Sequence, residues 1–282
     1  MPNLSRQSSK VLTELLDNEW QNPHATNVTQ QTALAKNHAL AAFLSLPTPI
    51  QTALLKQQRL VCIANNPSIT LKTLENLLKP TDIVVLFNYF IHAEFFSEHP
   101  CAKRLPKLLF FRQIGDSKLH FGMPPRRNHV DVLTTMLTQA PVGMMFANIP
   151  YQFPSPSADP RPDDDPITAT RQLQIPPKLK SALMCQDQCR VLPETHTVVS
   201  DYPIFSHIHS SAPTSGFLLY RLLLSARYFV QQEKNAAKLM PLLMLGFNDD
   251  SKTGYFWEGH NWAFERFELA NPPIGVERIT QY

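Results

Sequence analysis

Two small sets of side chains in this sequence have the types and spacing that chemistry uses. Cys185 and Cys189 stand four residues apart, so on a helix both thiols face the same way. His207 and His209 stand two apart, so on a strand both imidazoles share a face. Together the four make a Cys2His2 donor set of the kind zinc binds tetrahedrally. Zinc is the one cofactor this set offers, and otherwise none is expected. The alternative is two buried thiols and two loop histidines, the ordinary fate of both residue types.

The second set is Trp257, Glu258, His260 and Trp262, with Asp249 and Asp250 just upstream. A carboxylate and an imidazole beside indoles suit general acid–base catalysis or the binding of a sugar or a base. Glu258 and His260 are then the catalytic candidates, and Trp257 and Trp262 the ligand-binding ones. The same aromatics, with Phe264 and Phe267, equally suit a small hairpin packed on a neighbouring helix. Asp163, Asp164 and Asp165 lie in a proline-rich tract and read as solvated acids. Gly254 and Gly259 have the gap of a phosphate-binding loop, but Tyr-Phe-Trp-Glu fills it and His260-Asn261 stands where Lys-Ser/Thr is required. No dinucleotide-binding glycine fingerprint and no nucleophile elbow is present.

Charge is distributed unevenly. The net charge is +3, yet Lys103, Arg104, Lys107, Arg112, Lys118, Arg126 and Arg127 face only Asp116 between positions 103 and 127. Such a cluster attracts nucleic acid or an acidic protein surface, and it equally serves as a solvated face.

These residues must be positioned by elements, and proline sets their limits. The chain has 25 prolines against eight glycines, which predicts short helices with hard stops and stiff connections. Asn22-Pro23-His24-Ala25-Thr26 and Asn66-Pro67-Ser68-Ile69-Thr70 match at Asn, Pro and Thr, and Leu46-Pro47 lies between them. A proline ends one helix and opens the next, and Thr70 can cap a helix carrying Leu71, Leu74, Leu77 and Leu78. The stretch from Leu60 to Leu78 resembles the leucine-rich repeat variant family, over roughly residues 20–100. That resemblance implies short helices stacked into a solenoid and an interaction surface without chemistry. The iron–sulfur cluster of the family's founding member does not carry over, because no cysteine precedes Cys62.

Further along, Asp82 to Phe96 is apolar nearly all round and long enough to favour a helix. Leu108 to Ile114 is open between strand and helix. His129 to Gln139 has the apolar spacing of an amphipathic helix. Residues 150–178 contain eight prolines and no sustained apolar period, as expected of a linker or long surface loop. Leu183 to Ile208 is mixed, with short strands expected near Thr197-Val198-Val199. A helix from about Ser215 to Lys238 starts at Thr214 or Ser215, with Pro241 ending or kinking it. Tyr255-Phe256-Trp257 and Trp262 to Phe267 read as the two arms of a hairpin.

The expected fold class is a helix-rich α+β protein, with short α-solenoid-like repeats at the N-terminal end followed by a smaller α+β domain. The expected boundaries are 1–147 for the repeats, 148–180 for the linker and 181–282 for the second domain. The N-terminus lacks an apolar core of signal-peptide length, and Arg221 and Arg227 interrupt the most apolar segment, so no membrane insertion and a cytoplasmic location are expected. Four scattered cysteines favour reduced thiols. The leading functional expectation is a non-enzymatic scaffold whose partner is another protein. One alternative is an enzyme or ligand binder centred on the C-terminal half. Another is nucleic-acid binding through the 103–127 cluster.

Overall fold

A computed structural model describes residues 28–88, 91–113, 129–148, 188–192, 213–234, 240–248 and 260–282. Its centre is a seven-stranded sheet in which every pairing is parallel. The strands are β1 (Leu60–Ile63), β2 (Ile83–Phe87), β3 (Lys107–Gln113), β4 (Val142–Asn148), β5 (Cys189–Leu192), β6 (Leu242–Leu245) and β7 (Val276–Ile279). Their order across the sheet is β5-β4-β3-β2-β1-β6-β7.

The strand sequences explain the layering. LVCI, IVVLF and LLML are unbroken apolar runs in which every residue is buried. Such runs suit strands covered on both faces, as parallel sheets are. Leu60, Cys62, Leu242 and Met244 point into one core with α1 (Val28–Leu44), α2 (Thr48–Leu55) and α6 (Ser215–Lys234), and α7 (Trp262–Ala270) packs against its margin. Val61, Ile63, Leu243 and Leu245 point into the opposite core with α3 (Leu71–Leu77), α4 (Ala93–Glu98) and α5 (His129–Gln139). The two cores are the two faces of one sheet.

This α/β architecture corrects the expected fold class. Residues 60–87 form two neighbouring sheet strands joined by α3, not a stack of helical repeats. Strands from both ends of the sequence share the sheet, so a solenoid followed by a smaller α+β domain does not describe it. Asp82 to Phe96, expected as a helix, holds β2 and α4, and Leu108 falls in β3. Trp262 to Phe267 is the start of a helix rather than a hairpin arm, with Asn261 accepting from Phe264 N at 3.1 Å as its cap. A short apolar run has no period that separates strand from helix, and cover on both faces removes the alternation that betrays a half-exposed strand.

Local capping signals did hold. Thr70 accepts from Thr73 N at 3.1 Å and starts α3, while Thr214 accepts from Phe217 N at 3.1 Å and starts α6. The 129–139 helix is present as expected. Among the described residues no helix is long and apolar enough to cross a membrane.

Candidate ligand-binding crevice

The strand order reverses beside β1. From β1 the chain moves outward through β2, β3 and β4, with α3, α4 and α5 on one face. It then returns through α6 on the opposite face to lay β6 on the other side of β1. The chain leaves β1 for α3 on one face and leaves β6 for α7 on the other, the topology that in open α/β sheets sets a candidate crevice beyond the carboxyl ends of these two strands. Residues 64–68 after β1 and 246–248 after β6 lie at this point and form its candidate floor.

Two consecutive asparagines occupy the end of β1. Asn65 donates from Nδ2 to Phe87 O at 2.7 Å and accepts at Oδ1 from Ile91 N at 3.3 Å, which ties it to the end of β2. Asn66 donates from Nδ2 to Gly246 O at 3.2 Å, which ties it to the end of β6, and accepts at Oδ1 from Ser68 N at 3.0 Å. Backbone groups lose ladder partners where strands part, and an amide side chain offers both a donor and an acceptor to replace them. The result is a braced floor in which Asn66 is buried and Asn65 is exposed.

Gly246 is required at this junction. Its φ is +77°, and a Cβ there would lie 2.5 Å from Ile69 Cδ1 and 3.2 Å from Asn66 Cβ. Close by, Asn88 takes a left-handed φ of +44° and donates from Nδ2 to Ser215 Oγ at 3.1 Å, joining the end of β2 to the first turn of α6. Phe247 meets Phe87 edge-on at 5.6 Å, and a Cβ on Gly216 would collide with the Phe247 ring. Asn248 donates from Nδ2 to Thr280 O at 3.3 Å. The Asn248 side chain also bonds the Tyr282 hydroxyl, so it ties the end of β6 to the segment after β7.

The amino end of α6 lies at the same edge and already holds an anion. Glu265, 3% exposed, accepts from Thr214 N at 2.8 Å and from Thr214 Oγ1 at 2.7 Å. A carboxylate there complements the positive end of the helix dipole, so a ligand phosphate has no vacancy at that cap. Trp262 opens α7, which follows β6, so His260 and Trp262 stand at the carboxyl edge too. Their rings meet edge-on at 5.2 Å.

Only some of the other candidates fall among the described residues. Cys189 is buried in β5. Cys185, His207, His209, Trp257, Glu258, Arg126 and Arg127 lie outside the described residues, as do Lys118, residues 163–165 and the short strands expected at 197–199. Arg112 belongs to β3, with its side chain outside the description. Lys107 is no surface cation: its buried ammonium donates to Ala102 O, Lys103 O and Leu105 O at 3.1, 3.0 and 2.9 Å. Arg104 is exposed and Lys103 half-buried. Among the described residues no group of three or more His, Cys, Asp or Glu is placed to hold a metal ion.

Sequence reasoning passed over Asn65, Asn66, Asn88 and Asn248. Asn66-Pro67 was visible, but as a repeat signature. A polar pair directly after an apolar run was the available sign of a strand end. No family model matches this chain, and no curated protein or solved structure matches it.

Proposed function

We propose that the protein binds a compact polar metabolite in the crevice between the carboxyl ends of β1 and β6. The observation that carries this reading is the reversal of strand order at β1, with helices departing to opposite faces. The chemistry of the floor narrows the class. Amide side chains and backbone groups line it, α6 is already capped by Glu265, and the β1–α3 connection has no glycine. A ligand recognised through hydroxyl and amide groups fits this better than a pyrophosphate cradled by backbone N–H groups. His260 and Trp262 at the same edge favour the ligand-binding alternative raised from sequence. The scaffold alternative took its surface from stacked repeats, which the sheet replaces. The nucleic-acid alternative loses Lys107 to the interior.

The test is equilibrium binding of a panel of nucleosides, mononucleotides, sugars and sugar phosphates to the full chain, followed by the best binder against two variants. Asn248→Ala removes a side-chain amide that ties the end of β6 to the segment after β7, and Gly246→Ala places a methyl against Ile69 and Asn66. Each is expected to weaken binding about tenfold, the worth of one well-made hydrogen bond or contact. Unchanged affinity in both variants, or a ligand whose crystallographic density lies away from this edge, overturns the reading.

A further inference from the structure

Away from the crevice, three side chains from two segments form a relay. His99 caps the carboxyl end of α4, with its N–H donating to Phe95 O at 3.0 Å. Its Nε2 lies 3.1 Å from Glu75 Oε1 on α3, and its Nδ1 lies 3.0 Å from Cys101 Sγ. The Phe95 ring stacks on the imidazole at 4.7 Å and 17°, which holds the ring plane. Cys101 is exposed, whereas Cys62 and Cys189 are buried.

The partners settle the tautomer. A carboxylate only accepts, so Nε2 carries the proton of the neutral ring and Nδ1 presents a lone pair to the thiol. This is nucleophile, base and orienting acid, each within hydrogen-bond reach of the next. We propose that Cys101, with His99 as base and Glu75 as its positioning residue, is a modification site that exchanges with low-molecular-weight disulfides. Sγ attacks one sulfur of the disulfide and a new S–S bond forms as the old one breaks. The thiol proton passes to His99 Nδ1, and the departing thiolate recovers it from the imidazolium, which Glu75 stabilises meanwhile. Partial desolvation beside His99 and the Glu75 charge hold the resting thiol above its ordinary value, with the Cys101 backbone amide opposing them. The proton therefore leaves during attack, and the base in contact with the thiol matters.

The full chain is incubated with glutathione disulfide at neutral pH, and the mixed disulfide is followed by peptide mass mapping. Cys101 is expected to react ahead of Cys62 and Cys189, and Cys101→Ser identifies any adduct at Cys185. His99→Gln should slow the reaction at Cys101 about tenfold or more, less than the roughly hundredfold low end of general-base effects because a thiol also reacts through its free thiolate. Glu75→Gln, a change at an exposed position that leaves the imidazole in place, should slow it several-fold. Imidazole in the buffer should restore part of the rate to His99→Ala. Wild-type rates in both His99→Gln and Glu75→Gln, or no adduct at Cys101, overturn the proposal.

Discussion

Lys107 turns a sequence feature into a measurable pH dependence. It is the first residue of β3, fully buried, with its ammonium donating to three carbonyls of the turn that follows α4. Those bonds satisfy its donors but do not replace its hydration, so burial pushes the amine from its ordinary 10.5 down to about 8. A fall of that size withholds about 3 kcal/mol from the folded state whenever both states are protonated. Below about pH 8 the folded and unfolded chains both hold the proton, and the full cost stands. Between about 8 and 10.5 only the unfolded chain binds it, so stability rises with pH. Above 10.5 the cost is gone.

Tyr220 pulls the other way in the adjoining window. Burial, reinforced by Glu268 and opposed by Arg227, raises its hydroxyl from 10 to about 12, so its contribution is lost as pH rises through that value. The comparison must therefore be a difference. Lys107→Met keeps the apolar stem and removes the amine. Urea unfolding of both proteins at several pH values should show the wild type gaining about 2 kcal/mol on the variant between about pH 7 and 10. At neutral pH the variant leaves three carbonyls without their donor, a loss of about 1 kcal/mol each, set against relief of the buried charge. A difference that stays flat with pH would refute a buried, charge-bearing Lys107.

Two further outcomes follow from buried carboxylates. Asp82 is fully buried and accepts from Arg59 Nε at 2.9 Å, Arg59 Nη2 at 2.6 Å and Lys79 N at 2.8 Å, so Asp82→Asn leaves the guanidinium facing a neutral amide. It should destabilise the fold by about 3 kcal/mol in chemical denaturation, and a loss under about 1 kcal/mol would show the pair to be solvated. Glu265→Gln keeps the shape but removes the charge at the start of α6, and should cost about 1 kcal/mol by thermal unfolding. An unchanged midpoint would place the worth of that cap in Thr214 alone.

Much of the local structure was legible because its causes are local. Thr70 and Thr214 cap the helices that follow them, and the 129–139 period is that of a helix with one buried stripe. The most apolar segment, Phe217 to Val230, was legible as a helix that is mostly buried, though Arg221 is half-buried and Tyr228 exposed. Arg227 is 2% exposed and donates to Met240 O, Gly275 O and Ile274 O. Local sequence carries no such sign where a residue's state depends on a distant neighbour. Leu60 to Ile63 is a strand because β2 and β6 supply its hydrogen bonds, and one of those partners lies far along the chain.

The crevice shows the same division. The order of residues alone determined that short apolar runs would be buried, that threonines would start helices, and that Asn66-Pro67 would break the chain. Only the tertiary structure decided that Asn66 meets Gly246, 180 residues away, where the order of the described strands reverses. Propensity and capping act over a single helical turn and can be read from a few neighbouring letters. Strand pairing and the face on which each crossover packs are settled by which apolar surfaces find each other. For this chain that choice turned an apparent helical repeat into two strands of a sheet and the floor of a candidate binding site.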